Sequence, residues 1–275
     1  PTQVSGSGAG SLYFSSIAAG AGFTCGIAPT SKAYGWDGSS NFYGPIGDGT
    51  SGAVRADPTL VADSHVFTLI NRQNNFTCGI TSNGDSYCWG FGLGGKLGTA
   101  LPFNAFTANP NPLLVAGGYH FTKLITGDNH SCAVNEDGNA YCWGNGGFGQ
   151  MGDGLNNTYS TPNYVSGGGY KFTTMSAGNE QSCGIRDNGS AYCWGRNSNQ
   201  SLGVGSMGLS EYSPLPVTGG HKFTAITTGY RFSCGIKDNG DGYCWGKNSA
   251  GSLGVGVGDT ANRASPTVVF GGHKF

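Results

Sequence analysis

The segment Cys132-Ala133-Val134-Asn135-Glu136-Asp137-Gly138-Asn139-Ala140-Tyr141-Cys142-Trp143-Gly144 sets two cysteines ten residues apart around an Asp-Gly turn and closes with Trp-Gly. The same frame recurs at Cys78–Gly90, Cys183–Gly195 and Cys234–Gly246. A degenerate copy runs from Cys25 to Trp36, with Gly35 where the second cysteine would stand. The first cysteines, at 25, 78, 132, 183 and 234, are 51 to 54 residues apart. A period of that size signals a repeat architecture.

Working outward, Phe14, Phe67, Phe121, Phe172 and Phe223 each precede a first cysteine by 11 residues. An apolar-Gly pair follows each later tryptophan at a fixed distance: Leu97-Gly98, Met151-Gly152, Leu202-Gly203 and Leu253-Gly254, with Ile46-Gly47 slightly displaced in the first copy. A polar loop then leads to Pro112 to Val115, Pro162 to Val165, Pro214 to Val217 and Pro266 to Val269. Asn83-Gly84, Asp137-Gly138, Asn188-Gly189 and Asn239-Gly240 carry hairpin-turn chemistry. Each unit therefore reads as four short strands. Units of about 50 residues with four strands predict an all-β propeller of about five blades. The expected repeats are 14–66, 67–120, 121–171, 172–222 and 223–275, with 1–13 as the last strand of a preceding unit. Trp36, Trp89, Trp143, Trp194 and Trp245, with the phenylalanines, are expected to fill the space between blades. Tyr87, Tyr141, Tyr192 and Tyr243 alternate with cysteines along their strands and so face the other way.

Composition agrees with that reading. The chain has 275 residues, 52 of them glycine, and only 11% are charged. Ordinary domains carry roughly 7% glycine and roughly 25% charge. Glycine costs about 1 kcal/mol per helical position relative to alanine, so a helical bundle is excluded. A net charge of −1 with 14 Lys and Arg argues against nucleic acid as a partner. No run approaches the roughly 20 apolar residues of a membrane span. The sequence begins at Pro1, which reads as a processed or excised piece.

Counting outward from each hairpin turn sets Cys78 opposite Cys88, Cys132 opposite Cys142, Cys183 opposite Cys193 and Cys234 opposite Cys244. These are non-hydrogen-bonded sites, where side chains approach most closely, so cross-strand disulfides are expected. The spacing suits no zinc motif. Cys25 is left unpaired, either as a buried thiol facing Gly35 or as a bridge to another partner. Disulfides point to an oxidising compartment. Five Asn-x-Ser/Thr sequons, at Asn75, Asn129, Asn156, Asn188 and Asn199, agree with secretion.

The run His130-Ser131-Cys132, Asp137-Gly138, Tyr141-Cys142-Trp143-Gly144-Asn145 and Gly149-Gln150-Met151-Gly152-Asp153-Gly154 resembles the regulator of chromosome condensation repeat. The resemblance recurs five times and implies a β-propeller, seven-bladed in the type members. Guanine-nucleotide exchange and chromatin binding do not carry over, because the basic surface is missing. The Gly-Trp-Arg-His-Thr motif of the plant photoreceptor is absent. The cysteine-paired form is most similar to secreted members such as the extracellular repeats of crinkly-type receptor kinases. Five repeats in place of seven leave three arrangements open: a longer protein, an open ring, or an end strand that pairs with a neighbouring molecule.

No catalytic constellation emerges. His221 and His273 align with Tyr119 and Tyr170, and His120 aligns with Lys171, Lys222 and Lys274, so they are decorations of the repeat. His130 takes a position filled elsewhere by Phe23, Phe76, Gln181 and Phe232. His65 beside Asp63 is weak evidence for acid–base chemistry. Asp137, Asp187 and Asp238 are turn residues, and Asp238 to Asp241 lack a calcium-loop pattern. The expectation is a secreted, disulfide-stapled, N-glycosylated, non-catalytic propeller without metal or cofactor. It would act as a structural or protein-binding module, self-assembly into an extracellular fibre or matrix included. Carbohydrate binding is the alternative, and a protein-capturing inhibitor or receptor ectodomain the second.

Overall fold

The computed structural model describes residues 12–20, 22–37, 41–167, 169–206 and 208–275. Most of the expected strand at 1–13 lies outside the described residues. Five four-stranded antiparallel sheets follow one another along the chain, each with its strands in sequence order. The first holds Ser16–Ala19, Phe23–Ile27, Ala33–Asp37 and Arg55–Leu60. The second holds Phe67–Gln73, Phe76–Thr81, Ser86–Phe91 and Ala108–Leu114. The third is Phe121–Thr126, His130–Asn135, Ala140–Gly144 and Tyr159–Tyr164. Phe172–Ala177, Gln181–Arg186, Ala191–Arg196 and Ser210–Pro216 form the fourth, and Phe223–Thr228, Phe232–Lys237, Gly242–Gly246 and Arg263–Val268 the fifth. Among the described residues the sole helical element is the short 3-10 turn Leu93–Gly95.

Turn chemistry sets the central hairpin. The amide of Thr81 donates to the Asp85 carbonyl at 2.9 Å around Gly84, whose φ is +87°. Only glycine takes that left-handed conformation at no steric cost. The resulting register places Cys78 against Cys88, Cys132 against Cys142, Cys183 against Cys193 and Cys234 against Cys244. All four pairs are disulfides with Cα atoms 4.1 Å apart. In the first sheet Cys25 faces Gly35, and its thiol is free and buried. Burial pushes that thiol up to about 11.

The core lies between sheets. Side chains alternate across a strand, so each sheet has two different faces. One carries the cysteines, disulfide-bonded in sheets two to five, and their apolar neighbours. The other carries the phenylalanine, tyrosine and tryptophan. Cys78, Cys88, Ile80, Leu97 and Val115 of the second sheet pack against Phe121, Leu124 and Trp143 of the third. The third packs on the fourth through Cys132, Cys142, Met151 and Val165 against Phe172, Met175 and Trp194. The first–second and fourth–fifth boundaries repeat the pattern.

Three of the tryptophans are also hydrogen-bonded across a boundary. The ring N–H of Trp89, Trp143 and Trp194 donates to the carbonyls of Pro45, Lys96 and Gln150 at 2.9 to 3.0 Å. The hydroxyls of Thr77, Ser131 and Ser182 donate to the same three carbonyls. The apolar-Gly pair is what brings that carbonyl within reach. Gly98 has φ +71°, and a Cβ on it would lie 2.6 Å from the Trp143 ring nitrogen. Successive first strands pack side by side, sheet one to sheet five, with no comparable packing between the fifth and first sheets. The described residues thus form an open arc of blades.

Candidate protein-interaction face

In an up-and-down sheet, the turn after the first strand and the loop after the third leave from the same end. The glycine-rich hairpins and the connections between blades leave from the other. The two ends differ in chemistry.

At the loop end, Tyr43 from the first blade and Phe91 from the second stack with ring centroids 4.2 Å apart. Phe106 meets Phe91 edge-on at 4.9 Å, and Phe42 meets Tyr43 edge-on at 4.8 Å. Phe42 and Phe106 remain 64% and 65% exposed, and Phe103 in the same loop is exposed as well. Aromatic rings grouped on a surface and left in water mark an interaction site. The long loops present the rings, and backbone bonds such as Phe91 N–H to the Asn75 carbonyl tie those loops down.

Cations stand beside aromatics along this end. The Lys96 ammonium lies 4.9 Å from both the Phe76 and Phe91 rings, and the Arg196 guanidinium 4.5 Å from Phe148. Arg231 and Lys247 flank the exposed Tyr230. Lys96 is buried, and desolvation holds its ammonium at about 8 despite the nearby Asp128. Arg196 is paired with Glu180 at 2.5 Å. Asp128 ties three blades together: Gln73 and Asn179 donate to its carboxylate at 2.9 and 2.7 Å, and Lys96 donates to its carbonyl. The rings are therefore carried on a cross-linked base.

Asn75, Asn129, Asn156 and Asn199 all lie in turns or loops of this end, whereas Asn188 sits at a hairpin tip of the other. The hydroxyl residues of two of these sequons, Thr77 and Ser131, are the buried donors that accompany the tryptophans. The architecture thus supplies part of the sequon pattern by itself.

At the hairpin end, His65 stacks on Tyr87 with centroids 3.9 Å apart. The pairs Tyr119–Tyr141, Tyr170–Tyr192 and His221–Tyr243 repeat the arrangement at 4.5 to 4.7 Å. His65 is thus one more copy of the repeat decoration, which Asp63 two residues before it had obscured. His120 donates through Nδ1 to the Asn83 carbonyl, and Lys171 and Lys222 donate to Asn139 and Ser190. His130 is fully buried: its Nε2 donates to the Ser182 hydroxyl at 2.8 Å, and burial pulls it down to about 4. It is therefore a neutral bridge between the third and fourth blades. Among the described residues no three metal-ligating groups converge.

Sheets of this shape, stacked in order around an arc, define a β-propeller repeat protein. Blades three to five carry regulator of chromosome condensation (RCC1) repeats: one model of that repeat matches residues 125–150, 172–200 and 223–252, and a second matches 188–236. The chain is 28% identical over 219 residues to the ultraviolet-B receptor UVR8 of Arabidopsis thaliana, across 78% of this chain and 49% of the receptor. It is 30% identical over 204 residues to the mitochondrial RCC1 domain-containing protein RUG3 of the same plant, across 71% and 45%. The chain thus spans about half the length of these curated relatives. Prp20p from Saccharomyces cerevisiae, whose structure was described with its binding to Gsp1p and histones, superposes with a TM-score of 0.79 at 19% identity, over 94% of this chain and 64% of Prp20p. The ectodomain of the receptor kinase CR4 from Physcomitrella patens superposes with a TM-score of 0.56 at 23% identity, over 86% and 53%.

Proposed function

We propose that this chain is a secreted, non-catalytic protein-binding module that engages its partner through the aromatic loop end. The cluster of Phe42, Tyr43, Phe91 and Phe106, in which Phe42 and Phe106 are largely exposed, carries this reading. Rings of this kind supply most of the binding energy at protein interfaces, where aromatic anchors dominate. The cations beside them add direction and selectivity. Four disulfides support an oxidising, extracellular setting. The receptor ectodomain among the similar structures points the same way, as does protein binding by Prp20p. Glycans on the sequons of the loop end would frame the cluster and keep a weakly charged surface soluble.

The test compares wild type with the double variant Phe42→Ser/Phe106→Ser. Both rings are exposed, so thermal unfolding should not change. Quantitative capture from the native extracellular medium should lose its enriched partner by about tenfold or more. Equal capture by the two proteins would refute the reading. Carbohydrate stacking on the same rings is the second reading; there a glycan array would respond to the double variant and protein capture would not.

A further inference from the structure

At the hairpin end, the first and second blades meet differently from the later ones. In the later blades the residue before a first-strand phenylalanine, or before Phe275, closes over the preceding hairpin turn. His120 packs on Gly84 and bonds the Asn83 carbonyl. Lys171, Lys222 and Lys274 pack on Gly138, Gly189 and Gly240 and donate to Asn139, Ser190 and Asp241. Between the first two blades that residue is Val66, and the cation stands on the hairpin instead, as Lys32, in the place of Asn139, Ser190 and Asp241. Valine has no proton to donate, so the bridge is missing, and a pocket of about 200 Å³ is open there.

The backbone departs from the repeat at the same place. The turn residue Ser31 has φ +60°, and Asp63 in the connection between the blades has φ +72°. Their counterparts are glycines at positive φ: Gly84, Gly138, Gly189 and Gly240 in the turns, and Gly117, Gly219 and Gly271 in the connections. Side chains are disfavoured in that left-handed region, and backbone strain of this kind gathers at ligand sites. Here it is spent on placing the Asp63 side chain in the pocket lining.

The lining has a charged part and an apolar part. Lys32 and Asp63 are exposed, and among the described residues neither makes an ion pair. Leu60, Val61, Val66 and Phe67 supply the apolar part. His65, held against Tyr87 with ring centroids 3.9 Å apart, completes the wall. A cavity of about 150 Å³ takes a benzene, and drug-sized ligands need roughly 300 Å³ or more, so the space matches a ligand the size of one amino acid. Opposite charges beside an apolar surface select a small zwitterion with an apolar tail.

We infer that the pocket between the first and second blades binds a free apolar α-amino acid, its carboxylate paired with Lys32, its ammonium with Asp63 and its side chain against Leu60 and Val66. The site lies at the end opposite the aromatic loops and stands whatever those loops bind.

Amide NMR of the 275-residue chain titrated with L-leucine tests the site. Saturable shifts should appear at Lys32, Ser64 and Val66, with a Kd of about 1 mM or below. N-acetyl-L-leucine lacks the ammonium and L-leucinamide lacks the carboxylate, and each should bind about tenfold more weakly or worse. Asp63→Gly and Lys32→Ser install residues that later blades carry at the same positions, so the unfolding temperature should hold while leucine binding falls about tenfold or more. Shifts that never saturate, capped leucines that bind as well as leucine, or wild-type affinity in either variant would overturn the inference.

Discussion

Replacing Trp143 and Trp245 one at a time by phenylalanine separates the hydrogen-bonded part of the blade boundary from its apolar part. Both indoles are fully buried. Trp143 donates to the Lys96 carbonyl at 3.0 Å, whereas the Trp245 N–H is buried without an acceptor among the described residues. Either change removes the same ring volume, a loss of about 1–3 kcal/mol once the cavity is included. Trp143→Phe also loses a bond of net worth about 1 kcal/mol. Trp245→Phe instead relieves a buried donor whose burial costs about 1–3 kcal/mol. The first variant should therefore lose about 3 kcal/mol at its boundary and the second close to none. A repeat array need not unfold as one unit, so native-state hydrogen exchange is the suitable assay. Protection across 130–144 should fall about 100-fold in Trp143→Phe. Across 232–246 it should change by less than about tenfold in Trp245→Phe. Equal losses would refute the claim that the Trp-to-carbonyl bond pins adjacent blades.

Three other outcomes follow from particular residues. Replacing Cys132 and Cys142 together by alanine should cost about 3 kcal/mol locally, read as lost protection in the third sheet with the fifth unchanged. His130 binds a proton near 4 in the fold and at its ordinary 6.5 once unfolded. Stability should thus be level above about pH 6.5 and decline as pH falls toward 4, by up to about 3 kcal/mol; His130→Gln should flatten that slope in urea melts across this range. Gly35→Cys should fail to create a fifth disulfide and should destabilise the first blade, because a Cβ at 35 lies 2.8 Å from the Ile46 carbonyl oxygen and 3.0 Å from its Cα. Thiol counting and a thermal melt of that variant are sufficient.

Much of the fold was legible because it is written five times. The i, i+10 cysteines, the Asn-Gly and Asp-Gly turns and the trailing Trp-Gly fix register by local geometry alone, and repetition separates them from chance. The apolar-Gly pair was visible as a pattern, but its reason was not: the contact of Gly98 with Trp143 joins residues 45 apart on different blades. The aromatic cluster escaped the sequence for the opposite reason. Phe42, Tyr43 and Phe106 occupy loop positions that do not correspond between repeats, and Phe91 ends its strand where later blades have Asn145, Arg196 and Lys247, so no period announces the cluster, and only the adjacency of blades one and two brings it together. The role of Asp128 is likewise tertiary, since its partners Gln73 and Asn179 lie more than fifty residues away on either side. His65 was obscured by its neighbour Asp63, whereas its position relative to Phe67 matches that of Tyr119 relative to Phe121 and carried the correct signal.

Four blades are stapled by disulfides. Intact mass of the natively produced protein, unfolded and alkylated without reductant, tests it directly. One alkylated thiol, Cys25, is expected, and eight more after reduction. Nine alkylated cysteines in the unreduced protein would contradict it.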